Sequence, residues 1–340
     1  MKVTLKDIAR ETGYSISTIS RVLSNVGKIS NKAREEILHA AQRLNYPTSR
    51  IAGYEIRRKQ LNVALITDFH EGEFYASYYY GIDRAATAEN VRLSLLNVVD
   101  PRKNVKKFIT DLLAEKYYDC AIIFIPELLR KDYENLMEAI PDSFPVVSNA
   151  LIENSFLSTI TFDGYSGGHQ AARLFYRSGY RKVGIVKGPA RKAESRFRFN
   201  GFKDYIDGKP DMDLVWEFQG DFEFKSGVQS YHDMVESSAK PDAVFLCNDL
   251  MANAFVDTAL AHNMMVPDDI AVLGYDDLPM CRHNNPTISS VRTDFQQLGY
   301  ATIQALKIRF AGNGQQHGIL SLIPVNIIER ETIAKKMIEA

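Results

Sequence analysis

The chain has 340 residues, of which 45% are hydrophobic and 24% charged, and this predicts two or three globular domains with sizeable cores. Its net charge of −1 conceals a division, because residues 1–58 hold 11 Lys and Arg against 5 Asp and Glu, and the remaining residues hold 30 against 37. A basic first segment on an acidic remainder favours binding of a polyanion by that first segment.

The same sequence excludes several classes of protein. Lys2, Lys6 and Asp7 interrupt the beginning of the chain, so no secretory signal is expected, and no apolar run approaches the length of a membrane span. The cysteines are odd in number and lack the spacing of a metal or redox motif; they are Cys120, Cys247 and Cys281. The sequence therefore predicts a cytoplasmic protein with reduced thiols.

The first predicted elements are two short helices joined by a tight turn between Thr4 and Leu23. Thr4 is a suitable N-cap, and Asp7, three residues later, completes a capping box. Gly13 is expected to end the first helix in a left-handed conformation, and Ser15 to cap the second. The apolar residues of the second helix recur at helical spacing; they are Ile16, Ile19, Val22 and Leu23.

A third helix is predicted from Asn31 to Leu44, with Ser30 as its cap. Its inward positions are apolar and comprise Ala33, Ile37, Leu38, Ala41 and Leu44. Three short helices with a glycine-containing turn are typical of a helix-turn-helix DNA-binding domain, which we place at residues 1–46. The alternative is a small helical domain with a solvated basic face.

Three stretches resemble the head of the lactose/galactose repressor family: TLKDIA from Thr4, GYSISTISRVL from Gly13, and LNY from Leu44. The resemblance implies that Ile16, Ser17 and Arg21 face base edges in the major groove. It also implies phosphate contacts, at Thr4, Ser15, Ser20, Ser24 and Lys28. From chemistry alone, Arg21 is the long donor that can bind a guanine, and Ile16 can offer apolar contact to a thymine methyl.

Residues 47–60, PTSRIAGYEIRRKQ, form the predicted hinge or linker. The resemblance implies a helix that folds on operator DNA and inserts a leucine into the minor groove, but Glu55 stands at that position. Gly53 lowers helix stability by about 1 kcal/mol. Arg50, Ile51 and Ile56 remain as candidate DNA contacts, with an isoleucine as the apolar wedge. The alternative is a flexible basic tether.

From residue 61 onward, short apolar strands alternate with amphipathic helices. The predicted strands are Val63–Ile66, Leu93–Val98, Ala121–Ile125, Val146–Val147, Thr159–Phe162, Val183–Val186, Ala243–Leu246 and Ile270–Leu273. The predicted helices include Asn104–Ala114, Gly168–Ser178, Phe197–Ile206, Gly227–Val235 and Met251–Ala261. This alternation predicts an α/β fold of two Rossmann-like lobes, each with a parallel sheet covered on both faces, and a cleft between them.

The segment 61–340 resembles the effector-binding and dimerisation core of the same family, which is similar to periplasmic sugar-binding proteins. The resemblance implies a first lobe of residues 61–159 and 291–320 and a second lobe of residues 160–288 and 321–340. With the head included, it covers essentially the whole chain.

The predicted effector site combines polar and aromatic side chains from both lobes. By the resemblance, Arg196 reaches the ligand, Phe222 offers an aromatic face, and Phe74 and Tyr75 match an aromatic loop of the first lobe; Asn248 and Asp276 complete the set. The last two follow strands, at whose carboxyl ends α/β folds place ligands. This mixture of planar polar groups and rings suits a sugar.

Each polar member of this site also has a structural interpretation. Arg196 lies among charged neighbours and could form a surface ion pair. Asn248 and Asp276 could cap the helices that follow them, a role that is compatible with ligand contact.

The loop from Asp68 to Tyr75 carries more charge than the family pattern, through His70, Glu71 and Glu73. These side chains could face a ligand with amine or multiple hydroxyl groups, or solvent. We expect the two glutamates to face solvent, because a buried carboxylate needs partners. Tyr78–Tyr80 are expected to serve lobe or dimer packing.

One short motif favours an enzyme. Gly164–Gly168 satisfies G-x-S-x-G between a strand and a helix, which would make Ser166 a hydrolase nucleophile. The resemblance instead places this segment at a helix start, with Asp163 and Gly164 in the turn. No oxyanion segment of the HGGG kind, P-loop, HExxH or helix-opening GxGxxG motif is present. The sequence therefore predicts no enzyme, cofactor or metal, with the hydrolase kept as an alternative.

The sequence thus predicts a transcriptional repressor that binds operator DNA as a homodimer and responds to a small effector, with a sugar as the favoured class. The paired heads would read a pseudo-palindrome, and ligand binding would change their spacing. The alternatives are a ligand-binding transport component without DNA function and an interaction scaffold without a ligand. The missing signal sequence and the basic head weigh against the transport component.

Overall fold

The computed structural model describes residues 3–23, 29–44, 46, 60–153, 156–311 and 318–334. The chain divides into two compact units, Met1–Leu61, which we call the head, and Asn62–Ala340, which we call the core. Part of the predicted DNA-binding set lies outside the described residues, namely Ser24, Lys28, Arg50, Ile51 and Ile56, as do Gly53 and Glu55. Those assignments stay predictions.

Within its described residues the head has three helices, and their capping residues act as predicted. These helices are α1 (Leu5–Thr12), α2 (Ile16–Leu23) and α3 (Asn31–Arg43). The Asp7 carboxylate accepts the backbone N–H and the hydroxyl of Thr4, at 2.9 and 2.7 Å. Gly13 ends α1 with φ at 74°, the left-handed region that glycine adopts without strain, and Ser15 Oγ accepts the Thr18 N–H at 3.1 Å.

The buried cluster of the head is formed by all three helices. Ile8, Ile19 and Ile37 have no exposed surface, so each helix contributes one fully buried isoleucine. The spacing predicts Ile16 on the apolar side of α2, but it is the first residue of that helix, lies outside the cluster and is 45% exposed. Its side chain is therefore available for binding rather than packing.

The described residues of the core form two six-stranded sheets. Their strands, numbered along the chain, are β1 (Leu61–Thr67), β2 (Val91–Asn97), β3 (Cys120–Phe124), β4 (Val146–Ser148), β5 (Thr159–Phe162), β6 (Lys182–Lys187), β7 (Asp213–Gln219), β8 (Ala243–Leu246), β9 (Ala271–Asp276), β10 (Ser289–Arg292), β11 (Leu320–Ile323) and β12 (Asn326–Ile328). The sheet orders are β11-β5-β4-β3-β1-β2 and β12-β10-β9-β8-β6-β7. β12 runs antiparallel to β10, whereas β10, β9, β8, β6 and β7 are parallel.

The helices of the core cover these sheets as an α/β fold requires. They are α4 (Glu73–Ala88), α5 (Pro101–Glu115), α6 (Arg130–Met137), α7 (Gly164–Arg177), α8 (Ala193–Asp207), α9 (Phe224–Glu236), α10 (Asp249–Ala261), α11 (Met280–His283) and α12 (Phe295–Ala311). The first sheet with α4, α5, α6 and α12 is lobe 1, and the second sheet with α7 to α11 is lobe 2. No helix in the described part of the chain is both long and apolar enough to cross a membrane.

In its described ranges the chain crosses between the lobes three times, and each crossing lies slightly later than predicted. The predicted boundaries at 159/160, 291 and 320/321 fall inside β5, β10 and β11, which the structure keeps whole within one sheet. A boundary cannot divide a hydrogen-bonded strand between two sheets, so the crossings lie at 163, 293–294 and 324–325.

Candidate functional site

The exposed side of α2 is the candidate DNA-binding surface of the head. Ile16, Ser17 and Arg21 are exposed there, and Ser20 is half-buried. Ser17 and Arg21 are four residues apart, so they lie on one face of the helix. Among the described residues Arg21 has no ion-pair partner, which leaves its guanidinium available for the edge of a base or for a phosphate.

The two exposed hydroxyl groups predicted to contact phosphate also cap helices. The Thr4 hydroxyl donates to Asp7, and Ser15 Oγ lies 2.9 Å from Ser17 Oγ while it accepts the Thr18 N–H. Phosphate contact at these positions therefore joins an existing cap, where the first backbone N–H groups of a helix already favour an anion.

A cavity of about 940 Å³ lies between the two lobes of the core. Its size falls in the range of roughly 300–1,000 Å³ that is typical of small-molecule sites. Five of the six predicted effector residues line it, namely Phe74, Tyr75, Phe222, Asn248 and Asp276. The structure thus brings together residues that are up to 202 positions apart in the chain.

The predicted ligand arginine requires a correction. Arg196 is outside the cavity lining, and it donates to Glu153 Oε1 and to the Ala190 carbonyl, both at 2.8 Å. Arg198 lines the cavity instead, with 10% of its side chain exposed. Two positions along a helix correspond to about 200° of rotation, so Arg196 and Arg198 of α8 point to nearly opposite sides.

Arg198 is held in lobe 2 by three neighbours. Its Nη2 lies 3.4 Å from Asp276 Oδ1, its Cζ lies 3.7 Å from the centroid of the Tyr275 ring, and its Nη1 donates to the Cys247 carbonyl. Arg198 Nε and the Tyr275 hydroxyl are buried without a hydrogen-bond partner in the described residues. Unsatisfied buried donors are costly, so both groups favour a ligand that brings acceptors.

Asp276 is presented to the cavity by a turn with unusual backbone geometry. Asp276 and Asp277 have φ values of 112° and 56°, which residues other than glycine rarely adopt. Asp249 stabilises this turn, because its carboxylate accepts hydrogen bonds from the Leu278 N–H at 2.8 Å and from the Ser290 hydroxyl at 2.6 Å. The backbone strain indicates a position maintained for binding.

Burial governs the ionisation of this pair of carboxyl groups. Burial and the neighbouring Asp276 raise the pKa of Asp249 to about 8. Burial also raises the pKa of Asp276, and Arg198 partly offsets that effect. Two carboxylates in one buried region cannot both ionise easily, so the pair retains a proton above the usual range of an aspartate.

Asn248 supports both a helix and an aromatic wall. Its Oδ1 accepts the Met251 N–H at 3.0 Å, which caps α10, and its Nδ2 donates to the Phe222 carbonyl at 2.8 Å. Phe222 has φ at 75°, so this hydrogen bond stabilises a left-handed residue at the cavity. The capping interpretation of Asn248 is confirmed, and its contact with a ligand stays a prediction.

The wall formed by lobe 1 is aromatic. Tyr75 contacts Phe74 and Phe124, with ring centroids 5.6 and 6.0 Å apart, and Tyr78 lies 4.3 Å from Phe124. The Tyr78 hydroxyl donates to Asn149 Oδ1 at 2.8 Å, deep in the lobe. Rings of this kind pack against the apolar face of a sugar or against a planar ligand.

Carboxylates connect the lobes around the rim of the cavity. Glu73 Oε2 accepts the Met280 N–H at 2.9 Å, so this glutamate does not simply face solvent as predicted; Glu71 is exposed. Glu127 pairs with Arg191 and Lys192, at 2.5 and 3.1 Å. These contacts join residues of lobe 1 to lobe 2, so the cleft is bridged on its outer side.

The G-x-S-x-G segment packs helices rather than forming a nucleophile elbow. It is the first turn of α7, capped by Asp163, whose Oδ1 accepts the Ser166 N–H at 2.9 Å. A Cβ atom at Gly167 would lie 2.7 Å from the Tyr275 hydroxyl, and one at Gly168 would overlap the Arg198 carbonyl. The glycines therefore let α8 and Tyr275 approach, which places Arg198 in the cavity.

Sequence reasoning missed Arg198, Tyr275 and Asp249. Arg198 lies four residues after Glu194 on one face of α8, and both line the cavity, but the sequence does not show which face of α8 meets the cleft. Asp249 and Tyr275 gave no signal, because their roles depend on contacts between residues that are far apart in sequence. Within the described ranges no group of three potential metal ligands occurs, and the three cysteines are buried and free.

Comparison with family sequence models gives two matches. Residues 4–49 match the bacterial regulatory proteins of the lacI family, and residues 172–333 match a periplasmic binding protein-like domain. The chain is 25% identical over 328 residues to the HTH-type transcriptional repressor PurR of Histophilus somni, covering 96% of this chain and 98% of the relative. It is also 25% identical over 336 residues to the ribose operon repressor of Haemophilus influenzae, covering 97% and 98%.

Solved structures with the same fold cover nearly the whole chain. A complex of the transcriptional regulator CelR with cellobiose matches at 24% identity and a TM-score of 0.70, covering 97% of this chain and 99% of that one. The Lac repressor bound to ONPG in its repressed state matches at 24% identity and a TM-score of 0.71, covering 98% and 100%. Both likenesses support the fold described above.

Proposed function

We propose that this chain, which belongs to the lacI family of bacterial regulatory proteins and is a DNA-binding transcriptional repressor controlled by a small effector, recognises a sugar in the cleft between its lobes. The observation that carries this proposal is the environment of Arg198. A buried guanidinium with a free Nε, the Tyr275 hydroxyl and the Asp276 carboxylate meet beside aromatic rings. Planar donors and acceptors bind hydroxyl groups, and rings cover the apolar face of a pyranose.

The proposed effector residues are Phe74, Tyr75, Arg198, Phe222, Asn248 and Asp276, with Arg198 replacing Arg196. Two of the similar proteins carry a sugar in their names, since one is a ribose operon repressor and another is a regulator in complex with cellobiose. The mixed polar and aromatic lining favours the sugar. A thermal-shift panel of sugars, nucleosides and purine bases against the full chain tests this, and stabilisation by purines alone would contradict it.

For DNA we propose that Ile16, Ser17 and Arg21 read base edges while Thr4, Ser15, Ser20, Ser24 and Lys28 contact phosphates. Arg50, Ile51 and Ile56 are proposed contacts of the hinge. A cytoplasmic homodimer presents two heads to a pseudo-palindromic operator. A Lac repressor dimer bound to operator is among the solved structures with this fold, and it supports the proposed arrangement.

Selection of bound genomic fragments, followed by fluorescence anisotropy, tests this arrangement. Arg21→Ala should lose about 1–3 kcal/mol of discrimination at one base pair of each half-site. Lys6→Ala, on exposed α1, serves as a control that should leave base preference unchanged. Light scattering should give the mass of two chains, and a monomer that binds one half-site with full affinity would overturn the dimer.

A further inference from the structure

The positive charges that line the cavity already have carboxylate partners. The lining contains three such cations, Arg191, Lys192 and Arg198. Arg191 and Lys192 share Glu127, and Arg198 pairs with Asp276. Lys192 also acts on the buried Asp68, where it partly offsets the rise in pKa that burial causes. A negatively charged ligand would therefore have to compete with these carboxylates for every lining cation.

The carboxylates of the lining outnumber its cations by seven to three, and five of the seven have no ion-pair partner among the described residues. Those five are Glu71, Glu73, Glu194, Asp221 and Glu223. Glu73 and Glu194 accept backbone N–H groups of Met280 and Leu151, which orients them without neutralising them. The lining therefore has a formal negative balance contributed by both lobes.

The ionisation of Tyr75 shows the effect of these carboxylates at one point in the cavity. Burial raises the pKa of the Tyr75 hydroxyl, and four carboxylates, Asp68, Glu127, Glu194 and Glu223, raise it further. These groups come from both lobes. The same field that opposes a phenolate at this position opposes any other anion placed beside the ring.

We infer that the cleft selects an unphosphorylated sugar and excludes phosphorylated sugars and nucleotides. The inference rests on the proposed function, since it takes this cleft as the effector site. A phosphate gains its affinity from charge-assisted donors such as free Arg or Lys side chains, and a desolvated anion without them is strongly disfavoured. The free donors of this lining suit neutral hydroxyl groups instead.

The electrostatic premise is testable without any effector. Methyl NMR spectra of the full chain are recorded with cationic and anionic nitroxide probes of equal size. The methyl groups of Leu151, Leu250 and Leu298 line the cavity, and exposed Leu129 lies outside it. The cationic probe should broaden the cavity methyls at least about twofold more than the anionic probe, relative to Leu129. Equal broadening, or stronger broadening by the anion, would overturn the inference.

Glu71→Gln with Glu223→Gln removes two exposed carboxylates of the rim. In this double variant the broadening of the cavity methyl signals by the cationic probe should become more similar to that by the anionic probe. Glu115→Gln with Glu236→Gln removes two exposed carboxylates outside the lining and serves as the matched control. If the control changes the ratio of broadening as much as the rim variant, the effect comes from overall charge and the inference fails.

Calorimetry then tests the ligand class with cellobiose, lactose, glucose and ribose, each paired with its phosphate ester. A sugar that binds should bind about tenfold or more tightly than its phosphate ester. The ratio of the two affinities should become smaller in high salt and in the rim variant. A phosphate that binds as tightly as its parent would refute the inference. If no compound binds while the anionic probe is still excluded, the sugar assignment fails and the charge selection stands.

Discussion

The Arg198 guanidinium lies over the Tyr275 ring, with Cζ 3.7 Å from the ring centroid, and one nitrogen 3.4 Å from Asp276 Oδ1. Stacking and ion pairing fix the plane of the guanidinium, so its remaining donor has a defined direction. A flexible ammonium would not reproduce this geometry. Arg198 is therefore the cleft residue whose loss should be most costly to effector binding.

Arg198→Met should weaken binding of the effector about 10- to 100-fold, because it removes charge-assisted hydrogen bonds worth roughly 1.5–3 kcal/mol. Arg196→Met is the matched control on the same helix, and it should change affinity by about threefold or less, since it loses only a partly exposed pair with Glu153. Calorimetry with the sugar identified by thermal shift measures both. Equal losses in the two variants would contradict the assignment of Arg198.

Asn248→Ser separates the two roles of Asn248. Serine caps helices about as well as asparagine, so the free energy of unfolding should change by less than about 1 kcal/mol. The serine is too short to replace the hydrogen bond from Nδ2 to the Phe222 carbonyl, so Phe222 should leave its left-handed conformation and effector affinity should fall about tenfold. Urea unfolding and calorimetry make the two measurements. A large loss of stability with unchanged affinity would show that the cap is the important role.

The sequence was sufficient for the fold because the local signals agreed with one another. All eight predicted strands are present, and Thr4, Asp7, Gly13 and Ser15 cap the head helices as their chemistry requires. The lobe boundaries were less accurate, since hydrophobic patterns reveal a strand but not the sheet in which it pairs. Four strands were missed: β10, β11 and β12 are short and carry little periodicity, and acidic residues interrupt β7.

The polar part of the candidate site was predictable where a side chain follows a strand, and its aromatic part came from the family resemblance. Asp276 and Asn248 follow strands and line the cavity as predicted, whereas matching to the family pattern gave Arg196, which lies two residues before the arginine that lines the cavity. Asp249 could not be assigned a role, because its partners Leu278 and Ser290 are 29 and 41 residues away. Tertiary packing decides such roles, and a single sequence does not record it.

Asp249→Asn should change how stability depends on pH. Burial beside Asp276 raises the pKa of Asp249 to about 8, above its value of 3.8 in the unfolded chain. A carboxyl with a raised pKa keeps its proton in the folded state. Its contribution to the free energy of unfolding is therefore complete below pH 3.8 and is lost as the pH rises through about 8. The difference in unfolding free energy between wild type and variant should therefore fall with pH across this window, by up to about 1.4 kcal/mol per pH unit.

Urea unfolding at intervals between about pH 5 and pH 8.5 measures this difference. Asp276 and Cys281 also act on Asp249, and Arg198 acts on Asp276, so the slope is shared within the cluster. Asp257→Asn, at a less buried carboxyl on α10, is the control and should give a smaller slope. A difference that rises with pH would show that Asp249 is ionised in the folded protein.

Thr293→Val should reduce the coupling between effector binding in the cleft and operator binding. Thr293 lies in the crossing between β10 and α12, and its hydroxyl donates to the Asp276 carbonyl at 3.1 Å. The turn that presents Asp276 to the ligand is thus bonded directly to a segment that passes from lobe 2 to lobe 1. Valine has nearly the same shape and retains the backbone N–H to the same carbonyl, so the fold and the effector site should persist.

The expected result is effector affinity within about threefold of wild type and a reduced effect of the effector on operator binding. Coupling between two sites is typically 1–3 kcal/mol, and loss of about 1 kcal/mol would reduce the ratio of operator affinities about fivefold. Anisotropy with and without effector gives this ratio. Thr302→Val, whose hydroxyl bonds within lobe 1, is the control and should leave the ratio unchanged. If both variants keep the full ratio, the signal passes through the other two crossings instead.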